Sequence, residues 1–241
     1  MWLALGNIVI VGFVTIAQTN FKSMISYGSV MHMGYCFLGI GACSALGVGS
    51  AVMLMCAHGL SVALMFLLAS FVRNRTSTDE MMEMGGLAEK TPLLACFCMA
   101  ATLATIGLPG FGNFWGEFGI FLSLGESSDN LVYLILAALG IILSAIFGLR
   151  AVARIFFGQE SDELSQQIKK SPITDLSIKE MLPASIMLSA LLLIGLWPLS
   201  ISERIDTEIT TRYSNFDSKA LLTRPSCCPS DQKSVSENPT S

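Results

Sequence analysis

One apolar run, residues 91–124, constrains the fold of this chain more than any other stretch. As one unbroken helix it would be roughly 50 Å long, at about 1.5 Å per residue. The hydrocarbon core of a bilayer is only about 30 Å thick. Because the run is longer than one straight membrane span requires, we expect it to be broken along its length.

The break is expected at a cluster of helix-disrupting residues near the middle of the run. The cluster consists of Gly107, Pro109, Gly110 and Gly112. The proline removes a backbone N–H donor and clashes with the preceding turn, and the glycines accept backbone angles that other residues avoid. The sequence therefore predicts two half-helices, about 92–106 and 114–124, joined by irregular backbone. Inside a membrane, such backbone is tolerated only where it is buried in protein or lines a wet cavity.

The composition of the chain is that of an integral membrane protein. Of its 241 residues, 52% are hydrophobic and only 13% are charged, whereas about a quarter of a typical soluble domain is charged. Hydropathy and length mark six apolar segments, at about 1–18, 24–43, 51–72, 91–124, 131–157 and 181–199. The predicted fold class is all-α integral membrane, with six transmembrane helices, the fourth of them broken at its middle.

The last part of the chain differs in composition from the rest. Ser, Thr, Pro and charged residues dominate residues 201–241, which have too little apolar sequence to build a core. We therefore expect a membrane domain at 1–200 and a disordered polar tail at 201–241. The pairing state of Cys227 and Cys228 in this tail stays open.

Lysine and arginine are distributed unequally between the two ends of the predicted spans. The turns 44–50 and 125–130 contain neither residue. The opposite ends of the spans carry Lys22, Arg73, Arg75, Lys90, Arg150, Arg154, Lys169, Lys170 and Lys179. Short cytoplasmic loops are enriched in Lys and Arg, so this basic face is expected to be cytoplasmic or its organellar equivalent. Both termini then lie outside. Arg150 and Arg154 are most simply interfacial anchors.

Three ionisable residues lie well inside the predicted spans: His32, His58 and Glu117. A charge at the bilayer centre costs about 2.5 to 3.5 kcal/mol on insertion scales, so Glu117 should face the protein interior, protonated or partnered. Histidine titrates near neutral pH and carries two ring nitrogens that can exchange a proton. The expected neighbours on the same helix faces are Ser29 and Tyr35 for His32, and Ser61 for His58. The set predicts a proton relay; the alternatives are packing histidines and a glutamate at a proline kink.

Four sequence motifs occur in order along residues 1–200. They are KSMISYGSVMHMG from Lys22, AHGLS from Ala57, MGGL from Met84 and LPGFGNFWGEF from Leu108. This set resembles the antiporter-like membrane subunits of respiratory complex I, and most closely chain M, also called subunit 4. In that family, the positions that match His32, His58 and Glu117 belong to the proton path. Lys22 lies at the cytoplasmic edge, where snorkelling and a proton role are equally compatible with the sequence.

The resemblance implies half of an inverted-repeat transporter fold and a function in proton translocation, coupled to electron transport in an NADH:quinone oxidoreductase. It implies no cofactor in this chain, with NADH, FMN, iron–sulfur clusters and quinone used by other subunits. The implied partners are other complex I membrane subunits, the lipid bilayer and a separate chain that supplies the missing first half; no nucleic acid is expected. The implied location is a bacterial inner membrane or an organellar inner membrane.

The chain also departs from the family pattern. It matches only the last six spans of family members, so we expect a C-terminal fragment, a split gene product or a truncated reading frame. Sister subunits and Mrp antiporter subunits usually carry lysine where this chain has Glu117, which favours chain M. Two alternatives stay open. One is an Mrp-type cation/proton antiporter subunit, and the other is a non-functional or scaffold-only fragment.

Overall fold

The structure, a computed structural model, describes residues 1–126, 131–159, 161, 173–199, 202–205, 207–209 and 211. Within these residues the fold is helical and contains no strand, only an isolated antiparallel bridge between Asn20 and Glu80. Its principal helices are α1 (Trp2–Ala17), α2 (Phe21–Gly41), α3 (Ala45–Thr76), α4 (Pro92–Ile106), α5 (Gly112–Gly125), α6 (Leu131–Phe156) and α7 (Ile178–Leu196). A π-helical segment, Asn7–Val11, lies within α1, and a 3-10 turn, Leu87–Glu89, precedes α4.

Three of these helices, α3, α6 and α7, are long and apolar enough to cross a membrane, and α1 and α4 are shorter apolar helices. The predicted fold class is therefore confirmed at the level of a helical membrane protein. The tail after residue 211 lies outside the described residues, as do Lys169, Lys170, Cys227 and Cys228.

Helix α3 is the centre of the bundle, since it packs against α2, α4, α5 and α7. Helix α6 closes the other side by packing against α1 and α4. The core between them is mainly apolar, with Tyr35, Leu54, Leu64 and Leu68 fully buried, and it also contains buried polar side chains. This arrangement places the middle of α3 opposite the middle of α2 and the beginning of α5.

The helix ends follow local sequence signals. The side chain of Asn20 accepts a hydrogen bond from Ser23 N and caps α2, and Ser44 accepts one from Gly47 N and caps α3. Pro92 occupies the first turn of α4, where its missing N–H is not needed. Ser177 and Glu180 form a capping box at the beginning of α7.

The predicted turn at 44–50 is wrong. Because Ser44 caps the helix, α3 begins at Ala45 and only a short turn separates it from α2. The same helix also continues beyond the predicted end at residue 72, so Arg73 and Arg75 lie in its last turn and not in a loop.

The second half-helix was predicted to begin at residue 114, and it begins at Gly112. Gly112 is therefore part of the helix and not of the break. Its small size serves packing, since a Cβ there would lie 2.9 Å from Ile194 Cγ2 and 3.1 Å from Ala57 Cβ. A glycine at this position lets α5 approach both α3 and α7 closely.

Candidate functional site

Three buried ionisable side chains meet at the middle of the bundle. His32 comes from α2, His58 from α3 and Glu117 from α5, and none of them is more than 3% exposed. Glu117 Oε1 lies 3.4 Å from His32 Nδ1. The ring centroids of His32 and His58 are 5.0 Å apart, with an angle of 34° between the ring planes. The structure thus brings together the three residues that the sequence singled out, in the order Glu117, His32, His58.

The helix break gives the Glu117 carboxylate its position. Helix α4 ends at Ile106 and is followed by Gly107, whose backbone is left-handed, with φ of 83°. A Cβ at Gly107 would overlap Glu117 Oε2, which shows that the carboxylate lies directly over the glycine. Gly107 is therefore required twice: for its backbone conformation and for the space that its missing side chain leaves.

The break itself has more backbone hydrogen bonds than the sequence suggested. The amide of Leu108 donates to Leu103 O at 3.1 Å, and the amide of Phe111 donates to Leu108 O, also at 3.1 Å. Gly110, at φ of 108°, has open space where a side chain would be. The segment between the half-helices is thus a compact turn.

The histidine rings bond to neighbouring helices, whereas the sequence suggested partners on their own helices. His32 Nε2 lies 3.2 Å from Ser144 Oγ of α6, and His58 Nε2 lies 3.2 Å from Ser29 Oγ of α2. Tyr35 instead donates its hydroxyl to Ala137 O, at 2.9 Å. Spacing along one helix identified residues that share a face. The histidine side chains, however, extend to serines on the helices packed against that face.

Asn113 is a member of the site that the sequence reasoning missed. Its side chain is fully buried, and its Nδ2 donates to Ser61 Oγ at 3.1 Å. Ser61 in turn donates to the carbonyl oxygen of His58 at 3.0 Å. The sequence signal that could have identified Asn113 is an amide side chain inside an apolar run, one helical turn before Glu117.

Four buried polar atoms at this site have no hydrogen-bond partner within the described residues. They are His32 Nδ1, His58 Nδ1, Asn113 Oδ1 and Glu117 Oε1. More than nine-tenths of buried polar groups in proteins are partnered, and exceptions concentrate where a group has a chemical role or binds water. The occurrence of these atoms on three neighbouring helices makes the centre of the bundle the candidate functional site.

Lys22 lies away from this cluster. Its Nζ is 3.3 Å from Asp79 Oδ1, and its side chain is 31% exposed. Ten residues of helix, about 15 Å, separate it from His32. Lys22 therefore belongs to the basic end of the bundle in this structure.

The described residues contain no group of three or more His, Cys, Asp or Glu side chains that could hold a metal ion. Cys36, Cys43, Cys56, Cys96 and Cys98 are free thiols. The expectation that this chain binds no cofactor stays a prediction.

A helix broken at its middle, with a buried carboxylate beside the break, is typical of membrane transporters. The family described as "NADH:quinone oxidoreductase/Mrp antiporter, TM" matches residues 1–150, and the chain belongs to this family. Within it, similar curated proteins include NADH-quinone oxidoreductase subunit M of Rickettsia bellii, 35% identical over 83% of this chain. Another is an NAD(P)H-quinone oxidoreductase chain 4 of a Synechococcus strain, 33% identical over 85% of this chain.

Solved structures agree with this assignment. A chain of respiratory complex I from Thermus thermophilus superposes with a TM-score of 0.75 and 30% identity, covering 87% of this chain and 43% of that one. A chain of the Mrp complex from a Dietzia species has the same TM-score at 16% identity, which supports a shared fold only; it covers 86% of this chain and 46% of that one.

The resemblance to chain M, or subunit 4, is confirmed by these relatives. The chain spans 38% of the length of the Synechococcus protein and 39% of the Rickettsia protein. It corresponds to the C-terminal part of such subunits.

Proposed function

We propose that this chain is a proton-conducting part of a subunit M or chain 4 of an NADH:quinone oxidoreductase, and that Glu117, His32 and His58 carry the proton. One observation carries the proposal: a buried carboxylate lies 3.4 Å from a histidine nitrogen, and the ring of a second histidine lies 5.0 Å from the first, tilted by 34°. Side chains of this kind are rare inside membranes and are usually functional.

The geometry supports a proton transfer that converts a neutral carboxyl and a neutral imidazole into an ion pair. A protonated Glu117 carboxyl faces His32 Nδ1 and transfers its proton to that atom, which yields a carboxylate beside an imidazolium. A single buried charge is very unfavourable in a low-dielectric interior, but an ion pair in contact offsets part of that penalty. The ion pair between Glu117 and His32 can therefore form and be neutralised again at this one contact, and no isolated charge is left in the interior.

The second histidine extends the path. When His32 holds two protons, its Nε2–H points to Ser144 Oγ, and its ring faces His58. His58 Nδ1 has no hydrogen-bond partner within the described residues and is available as the next proton acceptor. Ser29, bonded to His58 Nε2, continues the chain of hydroxyl and imidazole groups toward the basic end of α2.

The membrane placement belongs to the same proposal. We take α1, α2, α3, the broken helix α4–α5, α6 and α7 as six crossings that form the second repeat and last helix of the subunit. The location of Lys22, Arg73, Arg75 and Lys179 at one end of the bundle supports a cytoplasmic basic face. A bacterial inner membrane fits best, and an organellar inner membrane is the alternative.

The proposed partners are other complex I membrane subunits and a separate chain that supplies the preceding part of the subunit. The solved structures that resemble this chain come from multi-subunit assemblies, and about three-fifths of the curated relatives' length has no counterpart here. NADH, FMN, iron–sulfur clusters and quinone would be used by other subunits of the assembly.

The decisive test is the Glu117→Gln substitution in a strain whose only copy carries the change. Glutamine keeps the size and hydrogen bonding of Glu117 but does not titrate. We expect near-normal assembly and loss of most coupled proton transport, measured as the proton-to-electron stoichiometry of membranes oxidising NADH. Glu117→Asp should retain part of the transport.

A matched control is Glu126→Gln, the same chemical change at an exposed residue just beyond the end of α5. It should leave the stoichiometry unchanged. Full pumping by Glu117→Gln would refute the proton-carrier role. Equal losses of assembly and pumping would assign Glu117 to the structure of the break, and sodium-dependent transport would support the Mrp-type alternative.

A further inference from the structure

A basic cleft lies between the last turns of α6 and the loop before α4, and the proposed proton path does not use it. Its volume is about 340 Å³, and Arg150 and Arg154 of α6 line one side of it. The loop before α4 lines the other side with Met81, Met82, Met84 and Gly85, and Phe157 lies at its edge. We propose that this cleft binds an anionic phospholipid through its headgroup phosphate.

The charge of the cleft carries the first step of the argument. Its two guanidinium groups lie one helical turn apart on the same face of α6. No carboxylate lines the cleft within the described residues. An anion is therefore the ligand that complements it, and guanidinium groups bind phosphate through paired N–H donors.

The nearby acidic side chains are engaged elsewhere and do not neutralise the cleft. Glu80 accepts a hydrogen bond from Asn20 Nδ2 at 3.3 Å, and Glu83 accepts one from Thr78. Asp79 is paired with both Lys22 and Arg73. These contacts partner the acids of the loop with α2, with α3 and with the loop itself.

The two arginines have different roles: Arg150 is bonded to α1, and Arg154 is available to a ligand. Arg150 donates to Ile16 O and Gln18 O, and so satisfies carbonyl groups at the end of α1. This contact fixes one wall of the cleft. Arg154, which is half-buried, has no hydrogen-bond or ion-pair partner among the described residues, so all five of its N–H donors remain for a ligand.

The apolar residues around the cleft distinguish a lipid from a small anion. Met82 is 62% exposed and Phe157 is 53% exposed, and both flank the arginines. The cleft lies at the polar edge of the bundle, where the last turns of α6 meet the linker between α1 and α2. A basic pocket at this depth takes a phosphate group, while the apolar rim receives the acyl chains that continue toward the bilayer.

The test compares Arg154→Gln with Lys179→Gln in the complex purified with the full chain. Lys179→Gln removes the same charge at an exposed residue of the same end of the bundle, outside the cleft. After delipidation, phosphatidylglycerol and phosphatidylcholine are titrated separately, and bound lipid is counted by native mass spectrometry. We expect Arg154→Gln to bind phosphatidylglycerol about fivefold more weakly than wild type, the effect of losing one basic group near an anionic surface. Lys179→Gln should match wild type.

Three further measurements make each outcome decisive: the Arg154→Lys variant, binding of inorganic phosphate, and the subunit composition of each complex. Arg154→Lys keeps the charge without the planar donor array and should restore part of the affinity, which separates binding from a folding defect. Equal binding of phosphatidylcholine, or equal binding by the Arg154→Gln and Lys179→Gln proteins, would overturn the proposal. So would full occupancy of the site by inorganic phosphate alone, which would make it a soluble-anion site. Loss of a partner subunit with unchanged lipid binding would overturn it in favour of an acidic protein surface.

Discussion

Two acid–base clusters of the same bundle differ in how completely their polar atoms are partnered. At the basic end, Arg75 donates to both carboxylate oxygens of Glu180, at 2.8 and 3.4 Å, and to the carbonyl oxygens of Phe71, Thr174 and Asp175. At the centre, Glu117 faces His32 at 3.4 Å, and Glu117 Oε1 has no hydrogen bond within the described residues. One cluster is saturated with partners and the other is not.

The difference in hydrogen bonding is consistent with different roles for the two clusters. A fully satisfied polar network fixes a structure, because every alternative arrangement loses hydrogen bonds. The Arg75 cluster does this by joining the end of α3 to the segment before α7. Asp175 extends the junction by accepting from the amides of Leu93 and Leu94 at the beginning of α4. The Glu117 cluster has fewer hydrogen bonds to hold it in one state, which suits the proton transfer that we propose for it.

The largest effect that tests this contrast is expected from Gly107→Ala. A methyl group at residue 107 would overlap the Glu117 carboxylate and would also strain the left-handed backbone. The side chain of Glu117 must then rotate away from its position beside His32. We expect coupled proton transport to fall at least tenfold while the complex still assembles, measured as the proton-to-electron stoichiometry of membranes.

Gly110→Ala supplies the control for this experiment. Its backbone is also left-handed, at φ of 108°, but a Cβ there meets no atom within 4 Å. Both variants should therefore carry a similar backbone penalty of about 1–2 kcal/mol, and only Gly107→Ala should lose transport. Equal transport in the two variants would show that the position of the Glu117 carboxylate over Gly107 is not needed for transport.

The next effect in size is expected from Arg75→Ala, which tests the saturated cluster. The Arg75 side chain is 9% exposed and that of its partner Glu180 is 27% exposed, so breaking this pair costs less than breaking a fully buried one. We expect a loss of roughly 2–3 kcal/mol in the free energy of unfolding, measured by denaturant titration in detergent. Transport per assembled complex should be unchanged.

Arg73→Ala is the matched control for Arg75→Ala, since it removes the same side chain two residues earlier. Arg73 is 54% exposed and is paired with Asp79 alone among the contacts described. Its loss should destabilise the protein much less. If Arg75→Ala reduced pumping per complex as strongly as Glu117→Gln, the saturated cluster would belong to the transport machinery, and the contrast would fail.

The sequence predicted those features that depend on local chemistry. The first half-helix begins at Pro92 and ends at Ile106, as proposed, because a proline fits the first turn and Gly107 accepts the left-handed ending. The interior position of Glu117 also followed from local chemistry, since a carboxylate in an apolar helix is too unfavourable on the lipid side.

Features that depend on the packing of separate helices were not predictable in the same way. The bonds from His58 to Ser29 and from His32 to Ser144 join different helices, and spacing along one helix carries no information about them. The overlap of Glu117 with the space above Gly107 depends on how the chain folds back after the break. The burial of Asn113 beside Ser61 likewise became visible only when α3 and α5 were packed together.

The smallest effect is expected from Lys22→Gln, which decides between the two readings that the sequence left open. Lys22 contacts Asp79 at 3.3 Å, but Asp79 also keeps Arg73 as a partner, so the carboxylate does not lose its last cation. Exposed ion pairs contribute about 0.2–1 kcal/mol. We therefore expect a loss of unfolding free energy within that range and a proton-to-electron stoichiometry equal to that of wild type. A substantial loss of pumping with unchanged assembly would instead place Lys22 on the proton path, and would extend the transport machinery from the unsaturated centre to the saturated basic end. Lys90→Gln, the same change at an exposed residue before α4, provides the baseline for a charge lost from that end of the bundle.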